Sequence, residues 1–200
     1  VAIAFQMNQP AAITVRIMDF DWGIVRVLGQ VRQLSAGGHS IAWDGKDEGG
    51  RIVPDEAYTF DILADGPDRK ALYAPYLESG GIAHEIERVK LLSHEQMIEY
   101  ELPENARVCI TAGIVNGPLL AIPVNWEPRL KGLRRDRWDG MDQDKTISIL
   151  NHPHYKVRTR YVTFPENTIL TKGNAAVDYP GYKRSARNML LARKSTPACK

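Results

Sequence analysis

Trp43-Asp44-Gly45-Lys46-Asp47 recurs as Trp138-Asp139-Gly140-Met141-Asp142, every member 95 positions later. Each residue type in it suits a reversal of the chain at the end of a sandwich. The indole is a large apolar plug, the carboxylate accepts backbone N–H groups, and glycine tolerates positive φ. Upstream, Ile13-Thr14-Val15-Arg16-Ile17 alternates apolar and polar side chains, as a half-buried strand requires. Its counterpart is Ala106-Arg107-Val108-Cys109-Ile110, 93 positions later, so the second copy carries two extra residues, which the reading places in the loop 113–118. Further runs at 24–28, 39–43 and 57–63 are separated by Gly, Pro and Asp, and Tyr58, Phe60 and Ile62 share one face. Short strands at that spacing predict an antiparallel sandwich. A period near 95 is the length of one sandwich domain, well beyond a solenoid repeat of roughly 20–50 residues.

The residues around the first turn resemble the immunoglobulin-like domain of the flagellar hook-capping protein FlgD, a module also found in secreted bacterial proteins. The likeness runs from Ile13 to Asp19, through Gly23-Ile24-Val25-Arg26-Val27-Leu28, to Ser35-Ala36-Gly37-Gly38-His39-Ser40-Ile41-Ala42 and the Trp43 turn. It continues through Gly50-Arg51-Ile52-Val53-Pro54 to Ala57-Tyr58-Thr59-Phe60. The second copy keeps the Trp-Asp-Gly-x-Asp turn but has 145–149 in place of Gly-x-x-Val-Pro, and it inserts Asn125-Trp126-Glu127-Pro128-Arg129. The resemblance implies an all-β chain of two tandem immunoglobulin-like antiparallel β-sandwiches with a basic C-terminal extension. The expected divisions are 1–66 for the first domain, 67–96 for a linker with a joining strand, 97–172 for the divergent second domain, and 173–200 for the basic arm.

The 200 residues carry a net charge of +2, and 44% are hydrophobic. That composition excludes collagen-like, disordered and multi-span membrane classes. The charge is unevenly placed. Residues 173–200 hold six bases (Lys183, Arg184, Arg187, Arg193, Lys194, Lys200) against Asp178, giving +5, and the remaining residues carry −3. The chain opens on Val1, so any signal peptide is out of view. Cys109 and Cys199 form no C-x-x-C or zinc-ligand pattern. Cys109 occupies the register of Arg16 on a polar strand face, which marks it as a surface or interface thiol.

Catalytic and cofactor signals are absent from the sequence. There is no G-x-S-x-G elbow, P-loop or G-x-G-x-x-G, so the expected protein is not an enzyme and takes no cofactor. Asp44, Asp47, Asp139 and Asp142 are candidate calcium ligands, but neither loop has EF-hand spacing, and turn formation is the preferred role. His152 and His154 make an H-x-H pair with no third ligand at a readable spacing. Arg129-Leu130-Lys131-Gly132-Leu133-Arg134-Arg135-Asp136-Arg137 and the basic tail could neutralise phosphates. No nucleic-acid motif accompanies them, so a solvated loop and a docking arm are preferred to nucleic-acid binding. In the tail, Lys183 to Lys194 reads as a short helix with Met189, Leu190 and Leu191 as its apolar patch, ordered on a partner.

The resulting expectation is a non-catalytic accessory or scaffolding subunit of a bacterial envelope or cell-surface assembly, located in the periplasm or on the surface. It would bind other protein subunits in a hetero-oligomer. The contact candidates are Trp126, Arg129, Arg134, Arg135, Lys183, Arg184, Arg187, Met189, Leu190 and Leu191, rich in the residue types of interface hot spots. Peripheral membrane contact is a competing use of the tail. A carbohydrate- or calcium-binding module, with Trp22 and Trp126 as stacking platforms, is the alternative class.

Overall fold

A computed structural model describes residues 1–177 and 179–185, without the side chains of residues 30–32. The chain is all-β with antiparallel pairing throughout its named ladders, apart from single turns of 3-10 helix at Pro75–Leu77 and Ile149–Asn151 and a helical segment over residues 179–185. It divides into two compact units. The first comprises Val1–Leu77 together with the chain from Asn167 onward, and the second comprises Glu78–Glu166.

In the first unit, β1 (Ala2–Met7) pairs with β4 (Gly37–Ala42), making one sheet. The facing sheet has β3 (Ile24–Leu34), β2 (Ala11–Met18) and β5 (Ala57–Asp65) in that order. The outer edge of β5 carries β6 (Lys70–Tyr73) and β14 (Ile169–Leu170). The period-two alternation predicted for residues 13–17 is realised, with Ile13, Val15 and Ile17 buried and Thr14 and Arg16 on the other face. The core joins them to Ile3, Trp43, Val53 and Tyr58. On the outer face Arg16 forms an ion pair across the ladder with Asp61, itself fully buried and bonded by the Tyr76 hydroxyl at 3.1 Å.

In the second unit, β12 (Gly132–Arg137), β9 (Met97–Leu102) and β8 (Val89–Leu92) form one sheet. The other has β11 (Leu119–Arg129), β10 (Ala106–Ile114), β13 (Tyr155–Thr163) and β7 (Ala83–Ile86). Its core holds Ile98, Tyr100, Val108, Ile110, Trp138 and Ile149.

Three expectations about the layout are corrected. Residues 67–96 are no linker: β6 belongs to the first unit, and β7 and β8 are edge strands of the second. The solvated faces of β6 erase the alternation by which a strand is read, since all four of its residues are exposed. Residues 167–172 do not belong to the second unit. Ile169 pairs with Tyr58, and the Thr171 hydroxyl donates to the Pro54 carbonyl at 2.8 Å, so the second unit is an insertion within the first. The basic stretch read as a solvated loop is instead the end of β11 and the whole of β12.

Candidate protein-contact site

The first aspartate turn is built from within. Gly45, at φ 76°, reverses the chain, and its carbonyl accepts the Val53 N–H at 2.9 Å. The Trp43 indole N–H reaches the Lys46 carbonyl at 2.9 Å, and its ring meets Tyr58 edge-on at 5.4 Å. Asp44 accepts the Lys46 N–H at 3.1 Å. Asp47 is buried, and one of its oxygens accepts the N–H groups of Gly49 and Arg51, both at 2.9 Å. The other accepts the Arg51 Nε–H at 2.9 Å and the Tyr182 hydroxyl at 3.1 Å. Burial works against the Asp47 carboxylate. The Arg51 backbone N–H, its guanidinium and the Tyr182 hydroxyl outweigh it, and the group is held below the usual carboxylate range.

The second turn repeats these bonds. The Trp138 indole N–H donates to the Met141 carbonyl at 3.0 Å, and the Ile149 N–H to the Gly140 carbonyl at 2.8 Å. Asp139 accepts the Met141 N–H, and Asp142 accepts those of Thr146 and Ile147 at 2.7 and 2.9 Å. The Ile147 N–H leads in lowering the Asp142 pKa, against a smaller burial effect. The carboxylates singled out as calcium candidates are thus engaged by N–H and O–H donors. Among the described residues no group of three or more His, Cys, Asp or Glu is arranged to hold a metal ion.

The start of the basic extension is packed on the first turn. Tyr182 is buried, with the Arg51 guanidinium 5.2 Å from its ring centre. Arg51 also donates to the Ser185 hydroxyl at 3.1 Å. The Lys183 ammonium pairs with Asp19, which is 3% exposed, and lies 3.4 Å from Asp21. Lys183 is therefore not a free contact residue. Its charge is matched inside the unit by the two aspartates of the β2–β3 turn, and the arm is seated on the chain itself at least as far as Ser185. Arg184 is exposed. Arg187, Met189, Leu190 and Leu191 lie outside the described residues.

The basic stretch of the second unit is largely neutralised locally. Arg129 pairs with Asp136 at 2.6 Å and Glu127 at 2.9 Å, and Tyr100 donates to the same Asp136. Burial lowers the Arg129 pKa, but the two carboxylates outweigh it and raise it above the ordinary value. Arg135 bonds Glu99 at 2.8 Å and Glu95 at 3.4 Å, and Arg134 donates to the Lys131 carbonyl. Arg129 is thereby corrected from a partner contact to a cross-strand tie.

Trp126 adopts φ 52° in β11, opposite a shift in the β10 register, with the Arg160 guanidinium 5.6 Å from its ring centre. Arg160 is also the ladder partner of Cys109, which is 3% exposed, so the expected surface thiol is buried. Trp22 is 55% exposed and packs on Tyr76 with ring centres 4.8 Å apart. The His154 N–H donates to Nδ1 of His152, an internal use of the H-x-H pair. Sequence reasoning missed Tyr182, Arg51 and Asp19. The available signal was an aromatic pair, Tyr179 and Tyr182, beside the first lysine of the tail, with Asp19 and Asp21 as its charge complement.

No family profile matches the chain. Over 60 residues it is 40% identical to the basal-body rod modification protein FlgD of Salmonella typhimurium, and equally to FlgD of Salmonella typhi. The match covers 30% of this chain and 25% of each relative, so the chain spans about a quarter of the length of the curated relatives it matches. The likeness to FlgD is therefore one over part of the chain.

Proposed function

We propose that the chain is a non-catalytic structural subunit of a bacterial envelope or cell-surface assembly, acting through protein–protein contacts. The observation that carries this reading is the FlgD likeness over a stretch of sandwich length, joined to a C-terminal arm whose root is pinned to the aspartate turn. The second unit, with the same kinds of turn bond around the same Trp-Asp-Gly-x-Asp sequence, is read as a divergent copy of the module. Tyr182 and Lys183 serve as the anchor, and Arg184 with the residues beyond Ser185, where Met189, Leu190 and Leu191 stand among four further cations, serves as the contact arm. An apolar anchor with surrounding charge is a recurrent means of protein capture.

The test is deletion of residues 186–200, which leaves the Tyr182 anchor in place. Cross-linking and mass spectrometry in the native host should show envelope or surface proteins held by the full chain and lost by the truncated one, with the β-sheet circular dichroism unchanged. Truncation that loses no partner would sink the arm. A chain with no protein partner would sink the whole reading. The exposed Trp22 on Tyr76 supports a second use, a stacking platform for sugar, which a glycan array with Trp22→Ala as control decides.

A further inference from the structure

Among the described residues, the sheet edge that is closed in the second unit is open in the first. In the second, β9 lies between β12 and β8, and Val89 and Leu91 of β8 sit opposite Tyr100 and Ile98 and pack on the core. The bonds of the two turns align β1 with β9: Trp43 N–H donates to the Val1 carbonyl, and Trp138 N–H to that of Gln96. Phe5 thus corresponds to Tyr100, Ala4 to Glu99 and Ile3 to Ile98. Among the described residues, β1 is paired with β4 alone. The uncovered side shows the consequence: Tyr100 is 1% exposed and Glu99 7%, whereas Phe5 is half-buried and Ala4 exposed.

A groove of about 460 Å³ runs along that free edge, between β1 and the β5–β6 ladder. Phe5, Met7, Ile62, Ala64 and Ala71 line it, and Gln6, Asn8 and Arg69 stand at its rim. Val1 both donates to and accepts from Trp43, so the antiparallel alternation turns the N–H and C=O groups of Ala2, Ala4 and Gln6 towards the groove. Unpaired strand groups beside an apolar channel are the requirements for adding a strand.

We infer that this groove is a docking site for an extended segment of a partner protein, added antiparallel to β1 with apolar side chains at alternate positions. The chemistry of the occupant is read from Val89-Lys90-Leu91-Leu92, which fills the same place in the second unit. Two apolar residues enter the groove, and the residue between them faces outward beside Ala4. The inference rests on the reading that the chain works through protein contacts and locates one of them.

The test uses the whole chain and a synthetic peptide of residues 87–93 as probe, followed by fluorescence anisotropy and amide exchange. Binding should protect the amides of Ala2, Ala4 and Gln6. Ala4→Pro removes the central outward N–H without touching a bond to β4, and Ala71→Trp fills the channel from an exposed position of β6. Each should weaken binding about tenfold or more with the melting curve retained, as should a Leu91→Lys peptide. No binding, or binding that survives both variants, overturns the site. So does protection of those three amides in the chain alone, which would mean its own residues occupy the groove, or concentration-dependent self-association lost in Ala4→Pro. Loss of no protein partner with Ala4→Pro and Ala71→Trp would overturn the groove and leave the structural role standing. A wild-type chain that holds no protein partner would remove that role, while the peptide measurement still decides the groove.

Discussion

The two units build the same turn and brace it differently. Backbone N–H groups on the aspartates, the indole bond to the residue three along and the glycine at positive φ recur at both turns. The second set of donors to the buried aspartate does not. Asp47 is clamped by Arg51 and by Tyr182 from far along the chain, whereas Asp142 is served by the local Thr146 hydroxyl at 2.8 Å. The invariant part of the motif is therefore the part that satisfies the reversed backbone, and the remaining carboxylate oxygen is free to be used for something else. In the first unit it fixes the root of the C-terminal extension.

The largest test of this comparison is removal of the plugs. Trp43→Ala should cost about 3–5 kcal/mol, as expected for a large buried aromatic, with Trp138→Ala of similar size. Amide exchange should show each loss confined to its own unit; joint loss would mean that the two do not unfold separately.

Next comes Tyr182→Phe, which should cost the first unit about 1.5–2 kcal/mol at pH 7, the value of a hydrogen bond to a charged group, and leave the second untouched. The folded pKa of Asp47 is depressed, so its ionised bonds stabilise above the unfolded value of about 3.9 and are lost as pH falls through the lower folded one. The cost of Tyr182→Phe should therefore shrink in acid denaturation profiles below about pH 4.

Gly50 and Lys145 hold the same place in the two turns, at φ 78° and 58°. Gly50→Ala should destabilise by about 1 kcal/mol in denaturant titration. Lys145→Gly should have the smallest effect, within about 0.5 kcal/mol, since relief of the backbone offsets loss of the exposed pair with Asp139 at 2.9 Å.

The sandwiches were legible where burial and local chemistry coincide in sequence: the tryptophan turns and the 13–17 alternation. Edge strand β6 was not, because all four of its residues are exposed and it lacks the period that betrays a strand, while β7 and β8 were visible as a joining strand but not as members of the second unit. The return of Ile169–Leu170 to β5 was also hidden, since two residues carry no pattern and their partner lies more than a hundred positions away. At the candidate site, the basic tail and the Arg129–Arg135 stretch were visible as charge. Two of their partners, Asp19 and Glu99, come from distant parts of the chain, and Asp136 meets Arg129 only because the stretch folds back as β11 and β12, so charge alone could not distinguish an internal tie from a surface offered to another protein. Cys109 was misplaced because its position on the strand was read from the polar face of the first copy, whereas the thiol is buried in the second.

The insertion of Glu78–Glu166 between β6 and β14 also sets an order of events at the ribosome. The outer edge of β5 receives β14, and the turn receives Tyr182, only after the intervening unit has been synthesised, a delay of roughly 5–20 s at ordinary elongation rates. The unit whose strands emerge first is the last to be completed.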